Sequence, residues 1–565
     1  MKPDPLSFFT IDHGTASTAA ALIAPVGGRF RLLAASAAPR GISVEAILED
    51  LVARVGATER GMLPDPEEWP SWARLEVATH RPLRVVCAAG SERRADDVAR
   101  AFLIAGWDVV ARFGGTGTDP RAVTEACLDR SVTAVALAAG EPPSASERLG
   151  LAALAPMIAA AAQRRPDLRV ILFGGATSWS GGFPAERVVH APAPGPELRG
   201  SAAGAPHFAR QVAAGWASDA GARQLPDGRE GFIVGAASLA SLLDRSVDAI
   251  DIGCAAGLRA VVRPDGAVEW LLRADAALVP SRAMTDDVEV DRILRWCALR
   301  SEQSALRDRV RNLGLAPWRD AAGDGARIRS AALRAALTRL AAGWTGGDVD
   351  AVLHGRETAV RRAVLPGIAS GFTRPASRDA GIASLPDLVV AAGGAFAAVP
   401  APIAALALLD VLRRPGARTL LWDHARVLGP IGTLQEVDRR RILADLLDDA
   451  FVPLGSTLVA GGLRPGRSAT LRVTSPVGSS EMSMVAGSLR SVDLPPGVTA
   501  HVEIEAREPI MLGVRARHVA MELSGGLTGL LLDARETPLR LHERAELRRA
   551  QLDGWERPFW PGLEP

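Results

Sequence analysis

The sequence feature that most constrains the fold is an internal duplication. Near its start the chain reads LSFFTIDHGTASTAAALIAPVGGRFRLLA, and at residues 246–273 it reads SVDAIDIGCAAGLRAVVRPDGAVEWLLR. In each copy an apolar run ends in Asp-x-Gly, small residues and a second apolar run follow, and a turn leads to a third strand-forming run. The pattern predicts one unit of strand, tight turn, strand, hairpin and strand, used twice.

The residues after each first strand indicate a phosphate site. Glycine beyond a buried strand lets backbone N–H groups approach an anion, and Gly14 and Gly253 hold this position. Asp12 and Asp251, at the strand ends, could hold a hydrated Mg²⁺ facing phosphates, and we predict that they are the metal-binding and catalytic carboxylates of one cleft. The first copy adds hydroxyl donors at Thr15, Ser17 and Thr18.

Two such units in two lobes would grip a nucleotide from both sides, as in the actin, Hsp70 and sugar-kinase superfamily. That superfamily also has a glycine pair beside the adenosine, which Gly393-Gly394 in DLVVAAGGAF could supply. We therefore predict an α/β chain with a two-lobed actin-like ATPase (ribonuclease H-like) fold and a C-terminal β-rich domain. The second copy reads Cys254-Ala255-Ala256 after its glycine and carries no hydroxyl. ATP and Mg²⁺ are therefore expected to bind weakly or not at all, and a duplicated scaffold with an empty site is the alternative.

Composition excludes several other classes of protein. The 565 residues carry a net charge of +1 with mixed signs, which argues against a nucleic-acid partner held on a basic face. Lys2 is the single lysine, so a P-loop Gly-Lys-Ser/Thr is excluded. The four cysteines are scattered without a CxxC, and no apolar stretch is long enough for a membrane span. We expect a soluble, cytoplasmic protein whose Arg-rich patches, such as Arg439–Arg441, are solvated helix faces.

The order of elements predicts four regions. Strands alternate with helices from LRVVCAAG to LRVILFGGA, which predicts a parallel sheet whose loops at Gly140-Glu141 and Gly174–Thr177 could meet a ligand. Helices are predicted at Val44–Val55, Ala205–Ala217 and Ala236–Leu243. The predicted regions are a first lobe at 1–230, a second lobe at 231–460, a β-rich appendage at 461–545 and a tail at 546–565.

Long stretches of the chain resemble the glutamate mutase L family, the accessory component of adenosylcobalamin-dependent glutamate mutase. The resemblance lies in DLVVAAGGAFAAVPAPIAALALLDVLRRPGARTLLWDHARVLGPIGTL, DDAFVPLGSTLVAGG, SGGLTGLLLDARETPLRL and DRILRWCALRSEQSALRDRVRNLGLAP. It implies an actin-like ATPase fold and a chaperone or reactivating factor for a cobalamin-dependent mutase. By position it puts Asp12, Gly14 and Thr15 in the first phosphate motif, Asp251 and Gly253 in the second, and Gly393-Gly394 in the adenosine motif.

The chain departs from the family pattern at three phosphate-side positions. Cys254-Ala255-Ala256-Gly257 replaces Gly-Ala-Thr-Thr, VATHRP replaces a Ser-Ser-Ala-Gly-Gly segment, and Gly140-Glu141-Pro142-Pro143 replaces a Gly-Thr-Asp-Gly-Gly loop. These departures indicate a divergent member and a possible pseudo-ATPase. Two other functions stay open. An actin-fold sugar or acid kinase would use Asp248 or Asp251 as its base, and a scaffold would bind a protein partner without nucleotide.

Overall fold

The computed structural model describes residues 7–55, 73–79, 81–104, 107–191, 225–279, 287–315, 323–345 and 387–560. The chain is mixed α/β with four sheets among these residues. The predicted helix at Ala205–Ala217 lies outside the described residues.

The first copy of the duplication forms a four-stranded sheet in the order β3-β2-β1-β4. Strands β1 and β2 pair antiparallel, β2 and β3 close a hairpin at Gly27-Gly28, and β4 joins β1 in parallel. Helix α1 packs against this sheet, as the apolar period predicts. The elements of this first copy are β1 Phe8–His13, β2 Ser17–Val26, β3 Arg29–Pro39, α1 Val44–Arg54 and β4 Ala73–Ala78.

The second copy repeats this arrangement strand for strand. Its three strands are β10 Val247–Ile252, β11 Gly257–Val262 and β12 Val268–Arg273. They form one end of an eight-stranded sheet in the order β12-β11-β10-β13-β14-β15-β21-β18. Asp251 pairs with Leu258 across the antiparallel hairpin, seven residues on, just as Asp12 pairs with Ala19. Strand β13 joins β10 in parallel, as β4 joins β1. The predicted duplication is therefore confirmed down to the register.

The rest of the eight-stranded sheet comes from later in the chain. Its strands are β13 Asp387–Ala392, β14 Gly416–Asp423, β15 Phe451–Val459, β18 Leu489–Val492 and β21 Leu530–Asp533. The two faces of this sheet bury the two largest apolar clusters, because neighbouring residues on a strand point to opposite faces. Ile250 faces one cluster and Ala249 the other.

Helices cover both faces of the eight-stranded sheet. One group comprises α6 Asp287–Leu294, α7 Gln303–Asn312, α8 Gly323–Thr345 and α10 Ala401–Val411, and the other comprises α5 Gly228–Leu243, α11 Leu428–Gly432 and α12 Glu436–Leu446. The short helix α9 Gly394–Ala397 follows β13, and α13 Ala545–Glu556 lies near the end of the chain. Among the described helices, none is both long and apolar enough to cross a bilayer.

Helix α5 begins at Gly228, whereas the sequence predicts a start at Ala236. The first two turns were not predicted from the sequence because they contain Gly228, Gly231 and Gly235, and glycine has low helix propensity. In the structure they allow close packing on α11: a Cβ on Gly235 would lie 2.6 Å from the Leu428 carbonyl oxygen, and one on Gly231 would overlap the Gly429 carbonyl. Asp227 caps the helix by accepting the Arg229 N–H.

A parallel five-stranded sheet lies between β4 and α5 in the sequence, with the order β6-β5-β7-β8-β9. This is the flavodoxin-like order of a doubly wound sheet. Its elements are β5 Arg84–Ala89, α2 Glu92–Ile104, β6 Asp108–Gly114, α3 Pro120–Leu128, β7 Ala134–Ala139, α4 Ala145–Arg164, β8 Arg169–Gly174 and β9 Val188–Ala191. In the first of the two loops predicted to meet a ligand, the backbone of Gly140 is hydrogen-bonded within the protein. Its N–H donates to Glu147, and its carbonyl accepts from the Gly175 N–H.

The β-rich region after residue 461 contributes to two sheets. Strands β16 Ser468–Ser475, β17 Gly478–Val485, β19 Thr499–Met511 and β20 Arg515–Ser524 form an antiparallel sheet of their own. Strands β18 and β21 instead extend the eight-stranded sheet through β15. The β-rich region predicted as an appendage therefore shares a sheet with the region before it.

A buried network of charges ties this junction together. Arg334 on α8 is fully buried, and it donates from Nε to Asp410 on α10 (2.7 Å) and from Nη1 to Glu556 on α13 (2.7 Å). Arg535 bridges Asp410 (2.8 Å) and Asp533 (2.7 Å). Asp533 and Arg535 are buried, so these two side chains hold the junction together.

Candidate functional site

The two Asp-x-Gly units meet in one cleft. The space between its walls is about 700 Å³, which includes open solvent at its mouth. The first unit, with the neighbouring strand β4, contributes Asp12, Gly14, Thr15, Ala16, Ser17 and Thr79. The second unit and β13 contribute Asp251, Gly253, Cys254, Ala255, Ala256, Gly393 and Gly394. Leu258, Leu272 and Leu278 form an apolar wall, and Arg229 and Arg426 add positive charge.

The tight turn after each aspartate has the same backbone hydrogen bond. The Gly14 N–H donates to the Ser17 carbonyl (3.0 Å), and the Gly253 N–H donates to the Ala256 carbonyl (2.9 Å). Each turn therefore reverses the chain in four residues and brings its small side chains to the cleft. This geometry follows directly from the repeated spacing in the sequence.

Eight of the nine predicted site residues line the cleft. The exception is Thr18, which is buried in β2 opposite His13. Gly393 and Gly394 reach the cleft because β13 runs parallel to β10 and ends beside Asp251.

Asp248, one of the two candidate bases of a kinase, is not among the residues that line the cleft. It is three residues before Asp251 on β10 and is held by both ends of the Arg259 guanidinium, at 2.8 Å each. Burial would raise the pKa of Asp248. The charge and hydrogen bonds of Arg259, together with the charges of Arg418 and Arg414, outweigh burial and hold this pKa below its usual value. A carboxylate locked in this way is unsuited to accept a proton from a substrate.

Arg426 makes the most specific contact in the cleft. Its guanidinium donates from Nε to Oδ2 of Asp12 (2.7 Å), and Nη2 lies 2.6 Å from the same oxygen. Nη2 also donates to the Asp12 carbonyl (3.2 Å), and Nη1 donates to the Ser17 hydroxyl (3.1 Å). The two side chains are only 12% and 17% exposed, so this is a largely desolvated ion pair.

The loop after β14 delivers Arg426 to this position. Arg426 has a φ of 56°, in the left-handed region, which is uncommon for a residue with a side chain. Asp423, which is buried, accepts the N–H groups of Val427 (2.9 Å) and Leu428 (3.0 Å) and so fixes both the loop and the start of α11. Gly14 leaves the necessary space, because a Cβ there would lie 2.8 Å from Nη2 of Arg426.

The second carboxylate of the cleft is held differently. Burial raises the pKa of Asp251 to about 6, the nearby charge of Asp12 adds to the effect, and Arg426 and Arg229 oppose it. Gly393, with a φ of 94°, lies against Asp251, since a Cβ at that glycine would overlap the Asp251 carboxylate and the Ile252 carbonyl. The glycine of the predicted adenosine motif is therefore required by the protein's own packing.

The resemblance implies ATP and Mg²⁺, and the structure allows a test of their fit. The cleft has tight turns and arginines that suit a phosphate-bearing ligand. Asp12 does not fit a metal site: Oδ2 is taken by Arg426, and Oδ1 is shut off from solvent, without a hydrogen-bond partner among the described residues, 3.7 Å from the Cβ position of Gly228. Nor do the described residues contain a group of three or more His, Cys, Asp or Glu side chains that could hold a metal.

The sequence analysis missed three polar residues of this cleft: Arg426, Arg229 and Thr79. Thr79 could have been found, because it follows β4, and β4 occupies the same place beside β1 that β13 occupies beside β10. Arg229 lies at the start of a helix whose first turns were not predicted. Arg426 is 414 residues from its partner Asp12, and no local motif marks it.

Comparison with known proteins finds little. No family model matches the chain, and no curated protein does. A nucleotide-free structure of acetone carboxylase, described under the mechanism of ATP-dependent acetone carboxylation, is 10% identical over 85% of this chain and 81% of its own, with a TM-score of 0.27. A PilM–PilN type IV pilus biogenesis complex is 12% identical over 78% of this chain and 98% of that chain, with a TM-score of 0.22. Similarity this low adds nothing to what the strand order and register show.

Proposed function

We propose that this protein is an actin-like accessory protein that acts on another protein, with a nucleotide cleft that is weakened or no longer catalytic. Following the resemblance to the glutamate mutase L family, the proposed partner is a subunit of a cobalamin-dependent mutase, and the role is that of a chaperone or reactivating factor. The proposal includes two actin-like lobes, one built on each copy of the duplication. The observation that carries it is the pairing of Asp12 with Arg426.

The duplicated sheet supports the actin-like assignment. Two units with the same strand order and the same register, each ending in Asp-x-Gly, contribute facing turns to one cleft. This is the arrangement that would hold a phosphate chain from two sides.

The chemistry of the cleft argues against efficient phosphoryl transfer. Such transfer depends almost entirely on positioned phosphate contacts and on charge supplied by metal ions. Here the second turn offers Cys254, Ala255 and Ala256 where side-chain donors would be needed, and Asp12 is occupied by a guanidinium. Each lost hydrogen bond to a charged group weakens binding by about 1.5–3 kcal/mol, so two such losses weaken it by a factor on the order of a hundred or more.

The kinase alternative keeps one supporting observation. Asp251 lines the cleft and its pKa is raised to about 6, which is closer to the range of a general base than an ordinary aspartate. We therefore include it in the test.

The experiment is capture of partners by the full-length protein in extracts of its native host, with Asp12→Asn and Asp251→Ala in parallel. We expect a cobalamin-dependent mutase subunit to be recovered by all three proteins, because a partner surface outside the cleft does not need these carboxylates. Direct binding to the purified subunit must then reproduce the capture. Phosphorylation of a small sugar or acid by the wild-type protein, abolished in Asp251→Ala, would overturn the proposal in favour of a kinase.

A further inference from the structure

We infer that Arg426 takes the place of a divalent metal at Asp12, so that a phosphate-bearing ligand of this cleft binds as the metal-free anion. The ligand class rests on the proposed function. The closure of Asp12 to metal rests on the geometry of the side chains alone.

The first argument is coordination. Mg²⁺ binds its ligands at about 2.0–2.1 Å in an octahedral shell and keeps several waters, so it needs an accessible carboxylate oxygen either as a direct ligand or to accept hydrogen bonds from those waters. Oδ2 of Asp12 already accepts two guanidinium contacts, at 2.7 and 2.6 Å, and Oδ1 is buried beside the start of α5. An ion could bind only after Arg426 had left, and the Arg426 side chain, which is only 12% exposed, would then lose its carboxylate partner.

The second argument is charge balance. The charged residues that line the cleft are two carboxylates, Asp12 and Asp251, and two guanidinium groups, Arg229 and Arg426. Their formal charges cancel when both carboxylates are ionised. Because these charges already balance, the cleft has no excess negative charge to attract a divalent cation. The guanidinium groups, by contrast, are of the kind that binds phosphate.

The third argument is that several parts of the chain are fitted to this contact. Arg426 adopts a left-handed backbone, Asp423 holds its loop, and Gly14 provides space for Nη2. Ser17, the hydroxyl that a phosphate would otherwise share, accepts from Nη1. Non-glycine residues in the left-handed region concentrate at functional sites, where the surrounding structure maintains them.

A Mn²⁺ titration followed by electron paramagnetic resonance tests the closure of Asp12. The proteins are the full-length wild type, Asp12→Asn, Arg426→Ala, Arg426→Gln and, as a matched control, Arg440→Ala, which removes an exposed arginine from α12. We expect wild type, Asp12→Asn and Arg440→Ala to bind Mn²⁺ equally poorly. Arg426→Ala and Arg426→Gln should bind one ion at least about tenfold more tightly, because two carboxylates then share a cleft with one arginine.

Calorimetric titration with ATP tests the ligand class, once in excess EDTA and once in excess Mg²⁺. The wild type should bind ATP at least as well in EDTA, and only the Arg426 variants should gain from Mg²⁺. A wild-type Mn²⁺ site that Asp12→Asn removes, or tighter binding of ATP with Mg²⁺ than without it, would overturn the inference. The comparison of wild type with Asp12→Asn decides the metal question even if the Arg426 variants do not fold. A wild type that binds no ATP in either buffer would refute the nucleotide part of the proposed function, and with it the ligand class inferred here.

Discussion

Replacing Arg334 with methionine should selectively loosen the junction between α8, α10 and α13. Methionine keeps the apolar stem of the side chain but removes a fully buried charge that contacts Asp410 and Glu556, both at 2.7 Å. Removing one member of a buried ion pair typically costs about 3–5 kcal/mol, because the remaining charge is left without compensation. Asp410 would keep Arg535 and Glu556 would keep the Trp560 indole N–H, so we expect the lower end, about 3 kcal/mol.

Hydrogen exchange read by mass spectrometry is the suitable assay, since a chain of this size need not unfold in one step. Peptides from α8 and α13 should exchange about a hundredfold faster in Arg334→Met, and peptides from the parallel sheet should not change. Arg309→Met is the control, because its ion pair with Asp324 (2.8 Å) is about half exposed and should contribute about 1 kcal/mol or less. Equal exchange in the two variants would refute the reasoning that burial makes the Arg334 network important.

Three further predictions concern the cleft and its supporting helices. Asp251 has a raised pKa in the folded state, so its contribution to stability is fully present below about pH 4 and is lost as the pH rises through about 6. The free energy of unfolding of Asp251→Asn, measured in urea, should therefore rise by up to about 3 kcal/mol relative to that of the wild type between pH 4 and pH 7. A difference that stays constant with pH would contradict this. Gly432→Ala should destabilise by about 1–3 kcal/mol, because its Cβ would overlap the backbone of α5, whereas Gly554→Ala, with open space around its Cβ on α13, should be neutral or stabilising in thermal unfolding. Wild-type protein should bind Mg·ATP more weakly than the low-micromolar range, and Ala255→Thr should tighten this binding by restoring a donor; a low-micromolar wild-type affinity in calorimetry would contradict the argument from lost hydroxyls.

The duplication made much of the cleft predictable. A motif that occurs twice specifies the same turn twice, and its spacing fixed which residues follow each first strand. The hydrogen bonds from Gly14 and Gly253, and the equal registers of Asp12 and Asp251, follow from that spacing alone. Prediction failed where a contact joins distant parts of the chain, as between Asp12 and Arg426.

Arginine was the residue type most often misjudged. Arg439 was predicted to lie on a solvated helix face, but it is half-buried and donates to the Ser238 hydroxyl (2.7 Å) and the Leu434 carbonyl (2.7 Å). Arg334 and Arg535 are buried among carboxylates. With a single lysine in the chain, arginine supplies nearly every cation, and a sequence pattern does not distinguish a solvated arginine from one whose partner is two hundred residues away.

The glycines of the nucleotide motifs have packing reasons of their own in this protein. Gly14 makes room for Arg426, Gly393 lies against Asp251, and a Cβ on Gly257 would overlap the Ala276 carbonyl. These packing contacts do not involve a nucleotide, so they would favour the three glycines in a chain that no longer bound one. The presence of an Asp-x-Gly pair and a later Gly-Gly is therefore sound evidence for the duplicated framework and weak evidence for ATP. The question of whether this cleft uses ATP depends instead on residues that the framework does not require, above all Arg426 and the hydroxyl-free turn that begins at Cys254.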